Sequence, residues 1–249
     1  MATHLEIVNK VLLRLREDAV TSIDETAYSQ LIGEFVSDIH REVSEEWPWP
    51  STIKTVQFQT VANQTGYALD ATTSGGGAVL VGSNITTERS ALRVRADGYP
   101  DIHISEDSSF TNSKQVTLLA DEQRHLLANT VGDATADFPT HASVRLGTTN
   151  AWTLQFWPKP VASDYYVNTI WSVPEEDLEV DGSTDGTEIY IPNRPIYLGA
   201  LWLAFNERGE EIGEPGGIAE TRYMKSLAAE RERAFVHEQS TGRFDWYRG

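Results

Sequence analysis

The sequence predicts an α+β protein. A discontinuous four-helix bundle, drawn from both ends of the chain, carries an inserted antiparallel β-rich domain and an extended C-terminal tail. Three observations predict it: apolar residues at helical spacing before Pro48, a period of two in the runs between Ile53 and Trp171, and a return of helical spacing after Pro192. The boundaries follow as a helical hairpin over 1–48, the β-rich insert over 49–191, a second hairpin over 192–238 and a tail over 239–249. At 249 residues the chain is long enough to bury a full core, and it shows no internal repeat.

Thr3-His4-Leu5-Glu6 reads as a capping box, in which the Thr3 hydroxyl accepts from the Glu6 N–H and the Glu6 carboxylate reaches back. Leu5, Val8, Leu12 and Leu15 then fall on one helical face, widened by Val11. Ser22-Ile23-Asp24-Glu25 offers a second box, followed by Tyr28, Leu31, Ile32, Phe35, Ile39 and Val43 on one face. Pro48 and Pro50 stop that helix, because proline lacks the N–H and disfavours helical geometry in the residue before it.

From Ile53 the alternation places Val56, Phe58 and Thr60 on one side of a strand. Further strand-like runs are 91–96, 102–105, 115–119, 143–146, 152–157 and 165–171, separated by turn-forming pieces at 73–77, 97–98 and 112–113. Residues 121–129 interrupt them with a short helix. After Ile191-Pro192, Pro195 suits a first turn, and Ile196, Leu198, Leu201, Trp202 and Phe205 make a nearly all-round apolar, buried helix. A break at Gly209, Gly213, Pro215, Gly216 and Gly217 precedes a last helix from about Ile218 to His237, with Tyr223, Leu227, Ala228 and Phe235 inward.

The composition excludes several chemistries. There is no cysteine, so disulfides, thiolate metal sites and a cysteine nucleophile are ruled out. The first 16 residues are interrupted by charges, unlike a signal peptide, and the longest apolar run, 197–205, is too short for a bilayer, which needs roughly 20 residues. The net charge of −17 argues against affinity for DNA, which clustered Lys and Arg supply, and suits a wall past which DNA moves without sticking.

Asp177, Glu179, Asp181, Asp185 and Glu188, with Gly182 at the sixth position, approach a calcium loop. Glu179 where Asp or Asn is usual, Thr184 at an apolar position and the missing flanking helices point instead to a solvated acidic connector. The histidines show no metal-ligand spacing, and no nucleophile elbow, zinc motif or phosphate loop is present, so neither a cofactor nor an enzymatic activity is expected. Trp152, Trp157 and Trp171 on or beside β-runs raise an alternative, a carbohydrate-binding or glycoside-hydrolysing protein, against which stands the usual fate of such aromatics as core. In the tail, Arg243, Phe244, Trp246 and Tyr247 crowd large anchors into a polar segment, the composition of an interface hot spot. Folding back onto its own subunit is the other expectation for that tail.

The order of segments resembles a known family. Leu5-Glu6-Ile7-Val8-Asn9-Lys10-Val11-Leu12 through Arg16-Glu17-Asp18, then Tyr28-Ser29-Gln30-Leu31-Ile32 and Phe35-Val36, look like the amino end of podovirus head-to-tail adaptors, the tail tubular protein A type. Trp152 to Pro160, Ile191-Pro192, Pro195-Ile196, Gly199-Ala200, Ala204, Arg208-Gly209-Glu210-Glu211 and Gly213 agree with it. The resemblance implies a structural virion protein of the neck or tail, assembled in the host cytoplasm, without catalytic residues and without a membrane. It implies a dodecameric ring beneath the portal, monomeric or weakly associated until the portal aligns it. A tail nozzle attaches below, and double-stranded DNA passes through without sequence-specific binding. The aromatic tail is then expected to dock on the portal.

Overall fold

A computed structural model describes residues 1–70, 78–80, 91–92, 101–131, 135–136, 138–146, 152–161, 165–209 and 214–240. Its helices are α1 (His4–Arg14), α2 (Ala27–Glu46), α3 (Asp121–Val131), α4 (Asn193–Glu207) and α5 (Glu214–Ser240). The chain divides into two compact units, residues 1–52 with 174–249, and residues 53–173. The fold is α+β, and helices from both chain ends belong to one unit.

In the helical unit the Thr3 capping box forms as the sequence predicts, with the Glu6 N–H donating to Thr3 Oγ1 and the Thr3 N–H donating to Glu6 Oε2. The second box sits elsewhere. Ser22 precedes a single 3-10 turn, Ile23–Glu25, without capping it, and its hydroxyl turns to Asp24. The cap of α2 is Thr26, paired with Ser29, a serine doing the work usually given to Glu or Gln. Glu25 is spent on the Thr21 N–H and hydroxyl, which hold its carboxyl below the usual carboxylate range.

The core of this unit joins Ile7, Val8, Val11 and Leu12 of α1 with Ile32, Val36, Ile39 and Val43 of α2 and with Ile196, Leu201 and Ala204 of α4. Helix α4 packs on α1, α2 and α5, so the arrangement is built around it. Its nearly all-round apolar sequence is explained by that central place. Gly199 lets α4 approach α2 closely: a Cβ there would lie 2.7 Å from Ile39 Cγ2. Beyond α2, Trp49 is 1 % exposed and its indole N–H donates to the Val43 carbonyl at 2.6 Å. At the other end Arg208, the C-cap of α4, donates to Tyr28 Oη at 2.8 Å, to the Leu15 carbonyl at 3.2 Å and to Glu17 at 2.6 Å. One guanidinium thereby ties the end of α1 and the start of α2 to α4.

Helix α5 begins earlier than its glycines suggest. Pro215, Gly216 and Gly217 lie in its first turn, where proline's missing N–H costs nothing. Its inward face is Ala219, Tyr223, Ser226, Leu227 and Ala234. Ala228 and Phe235, expected inward, are exposed, because the buried stripe steps by three and four from Tyr223 and leaves them one position off.

Residues 174–191, which the sequence-based boundary gives to the insert, lie with the helices. Ala2–Thr3 pairs antiparallel with Glu188–Ile189, and the Ser37 hydroxyl donates to the Leu178 carbonyl. The segment therefore returns along the helices before α4 starts.

The β unit contains two main sheets. One orders the strands Ala78–Leu80, Gly66–Asp70, Trp152–Trp157, His141–Leu146 and Thr117–Leu118. The other orders Ile53–Gln59, Tyr166–Ser172, Ile102–Ser105 and Lys114–Gln115, with Ala91–Leu92 also on Tyr166–Ser172. Most pairings are antiparallel, but Gly66–Asp70 with Ala78–Leu80, Thr117–Leu118 with His141–Leu146, and Thr135–Ala136 with Lys159–Pro160 are parallel. The predicted run 115–119 is split: it leaves one sheet at Gln115 and enters the other at Thr117, pivoting on buried Val116. Helix α3 appears where the sequence predicts it. Of the predicted run 91–96 only the first two residues are described, and the turns at 73–77 and 97–98 lie outside the described residues.

Candidate functional site

The helical unit carries two oppositely charged features. The first is an open cleft of about 740 Å³ lined by α1, α4 and α5. Lys10 and Arg14, four apart, come from one face of α1, while Asn193, Arg194, Tyr197, Leu198 and Leu201 repeat along one face of α4, and Arg222 comes from α5. Leu198 and Leu201 form the buried floor, and the four cationic side chains are exposed around it. Lys10 Nζ stands 4.5 Å over the Tyr197 ring. Among the described residues no carboxylate pairs with these four cations, in contrast to Arg208, Arg231, Arg233 and Arg41, each of which has a Glu partner. Four cations in one recess with no carboxylate partner among the described residues stand out in a chain of net charge −17. The sequence reading missed them because they come from three separate segments and form no run.

The second feature is the acidic stretch 175–188, which lies on α2 and the start of α1. The Glu175 N–H donates to Ser44 Oγ at 3.0 Å, Glu175 Oε2 faces His40 Nε2 at 3.0 Å, and Val180, with Ile23, packs where a Cβ on Gly33 would lie. The backbone groups of Glu179 bond Thr184 Oγ1, closing a small loop in which Gly182 takes φ +85°.

Of the carboxylates in the calcium-loop pattern, Asp181, Asp185 and Glu188 have separate engagements. The Ser183 hydroxyl and, after it, the Ser183 N–H, which donates to Asp181 at 2.9 Å, hold the Asp181 carboxyl below the usual range, and Asp185 accepts from the Ile23 N–H at 3.3 Å. Glu188 accepts from the Tyr190 hydroxyl at 3.1 Å, while Asp177 and Glu179 are exposed. Among the described residues no three His, Asp or Glu gather so as to hold a metal ion.

His4 links α1 to this stretch. It is fully buried, with Nδ1 3.1 Å from Thr184 Oγ1 and Nε2 without a hydrogen-bond partner. Burial, the largest cause, and His40 nearby push its pKa down from 6.5 to about 4, against smaller upward pulls from the Gly33 backbone and Asp185. The unfolded chain therefore takes up a proton between pH 6.5 and 4 that the folded chain refuses. The resulting stability is complete above pH 6.5 and is lost as pH falls toward 4, a loss of about 3 kcal/mol. In urea titrations His4→Gln should be less stable than the parent at pH 7 yet lose less on acidification to pH 4.5. Equal acid slopes in the two chains would rule out this role for His4.

The tryptophans do not form a common platform. Trp171 is completely buried, its Nε1–H donating to Thr169 Oγ1 at 2.9 Å, and Trp152 packs against it at 6.1 Å between ring centres. Trp157 lies in the other sheet from Trp171, beside His141 at 5.8 Å. The side chain that the sugar-stacking alternative needs most is thus core. Arg243, Phe244, Trp246 and Tyr247 lie outside the described residues. No described helix is long and apolar enough to cross a membrane.

A family model described as SU10 adaptor protein matches residues 2–245, which takes in both units. No curated protein matches the chain.

Proposed function

Because the chain belongs to the SU10 adaptor protein family, a family of phage structural proteins, we propose that it is the head-to-tail adaptor subunit of a short-tailed phage. Copies form a dodecameric ring under the portal, carry the tail nozzle below, and enclose part of the path taken by DNA. The chain works as a connector in the neck of the virion, not as an enzyme.

The observation that carries this reading is the extent of the family match, residues 2–245. Helices, insert and the beginning of the tail together correspond to an adaptor, so the role belongs to the whole architecture. An acidic surface of net charge −17 supports a conduit, because it leaves passing DNA unheld.

The portal contact is assigned to the tail, where Arg243, Phe244, Trp246 and Tyr247 supply the residue types that dominate interface energies. Deleting residues 240–249 should abolish binding to purified portal rings while leaving the circular dichroism spectrum and melting of the subunit unchanged. Undiminished binding of the truncated chain would refute the assignment. In the genome, the neighbouring reading frames should encode a portal, a capsid protein and a tail nozzle.

A further inference from the structure

We infer that the cationic cleft of one copy receives the acidic 175–188 stretch of the next copy, a head-to-tail contact between unlike faces of the helical unit. This rests on the ring reading above and names the surfaces that make the ring.

Several observations carry it. The cleft brings Lys10, Arg14, Arg194 and Arg222 together with no described carboxylate to neutralise them. The stretch 175–188 holds Glu175, Glu176, Asp177, Glu179, Asp181, Asp185 and Glu188 and no cation at all. Within it Glu175, Asp181, Asp185 and Glu188 are engaged internally, whereas Glu176 and Glu179 are exposed and their carboxylates have no described hydrogen-bond partner. The loop that carries Glu179 is held rigid by the Thr184 bonds and anchored through Leu178 to Ser37, so it is presented ready-made.

The two features share no residue. The cleft is lined from α1, α4 and α5, and the stretch rests on α2 and the first residues of α1. Such a contact is heterologous, and a heterologous contact whose rotation closes produces a ring, whereas a like-on-like contact stops at a dimer. Arginine suits this task, since its planar fork grips a carboxylate in two places. A DNA duplex is the weaker occupant: the recess is small, and the chain around it is strongly negative.

The absence of native cysteine permits a direct test on the full chain. Arg222→Cys and Glu179→Cys are made separately, mixed, and treated with a short bismaleimide, both alone and on portal rings. Covalent dimers should appear in the mixture and not with either variant by itself, and a chain bearing both changes should give a ladder. Arg14→Glu with Arg222→Glu should weaken assembly about tenfold or more, and mixing with Glu176→Lys/Glu179→Lys chains should restore it. Rings that form on the portal without the mixed cross-link would overturn this contact and leave the adaptor reading standing. Failure of any copies to assemble on the portal would overturn both. Binding of a 20-base-pair duplex that is lost with Arg222→Glu would reassign the cleft to phosphate and likewise overturn the contact.

Discussion

Gly199→Val is expected to unfold the helical unit, and Gly199→Ala to destabilise it, although alanine is the better helix former. Moving from glycine to alanine inside a helix gains about 1 kcal/mol of propensity. Against it stands the contact of α4 with α2, where the new methyl would sit 2.7 Å from Ile39 Cγ2 and 3.0 Å from Ile39 Cδ1. Both helices are fixed by the same core, so relief requires Ile39 to leave its rotamer or the helices to part, a cost of about 1–3 kcal/mol. The clash wins for alanine and is larger for valine, which adds further atoms and a stiff χ1. Denaturant unfolding of Gly199→Ala, Ile39→Ala and the double variant should give a coupling in which Ile39→Ala removes most of the penalty. Simple additivity would mean that the added methyl does not act through Ile39.

Trp49→Ala should cost about 3–5 kcal/mol, among the larger losses available to this chain. The indole is fully buried, and its N–H satisfies the Val43 carbonyl, one of the acceptors that the end of α2 would otherwise leave bare. Trp49→Phe separates the two contributions: it keeps most of the buried surface and loses the hydrogen bond, so its cost should be nearer 1–3 kcal/mol. Thermal melts of the three chains check the order. If the phenylalanine variant matched the parent, the bond to Val43 would contribute nothing.

Much of the architecture was legible because it rests on local periodicity. Leu12 and Ile39 announce helices through their spacing, Val56 and Phe58 announce a strand, and Pro48 announces where the helix ends. Where the reading went astray, a tertiary preference outweighed a local one. Ser22 carries the better cap motif, yet the chain makes one extra turn there so that Ile23 can enter the core and its N–H can meet Asp185. The 115–119 run satisfies the pattern of one strand while serving two sheets, a division that alternation within a single segment does not reveal. Phe235 was placed inward with Tyr223, Leu227 and Ala228, and the helix's rotation, set by Tyr223 and Ala234, turns it outward. The cleft was illegible for a simpler reason: Lys10, Arg194 and Arg222 are brought together only by packing.

The pairing of Ala2–Thr3 with Glu188–Ile189, and the place of α4 at the centre of its unit, have a consequence for synthesis on the ribosome. The first two helices emerge early, but their apolar faces stay uncovered until α4 has been made. At about 5–20 residues per second that interval is on the order of ten seconds, during which the intervening β unit has time to collapse on its own core. The nascent hairpin is therefore a natural client for a holding chaperone, and the order of events runs from the middle of the polypeptide outward.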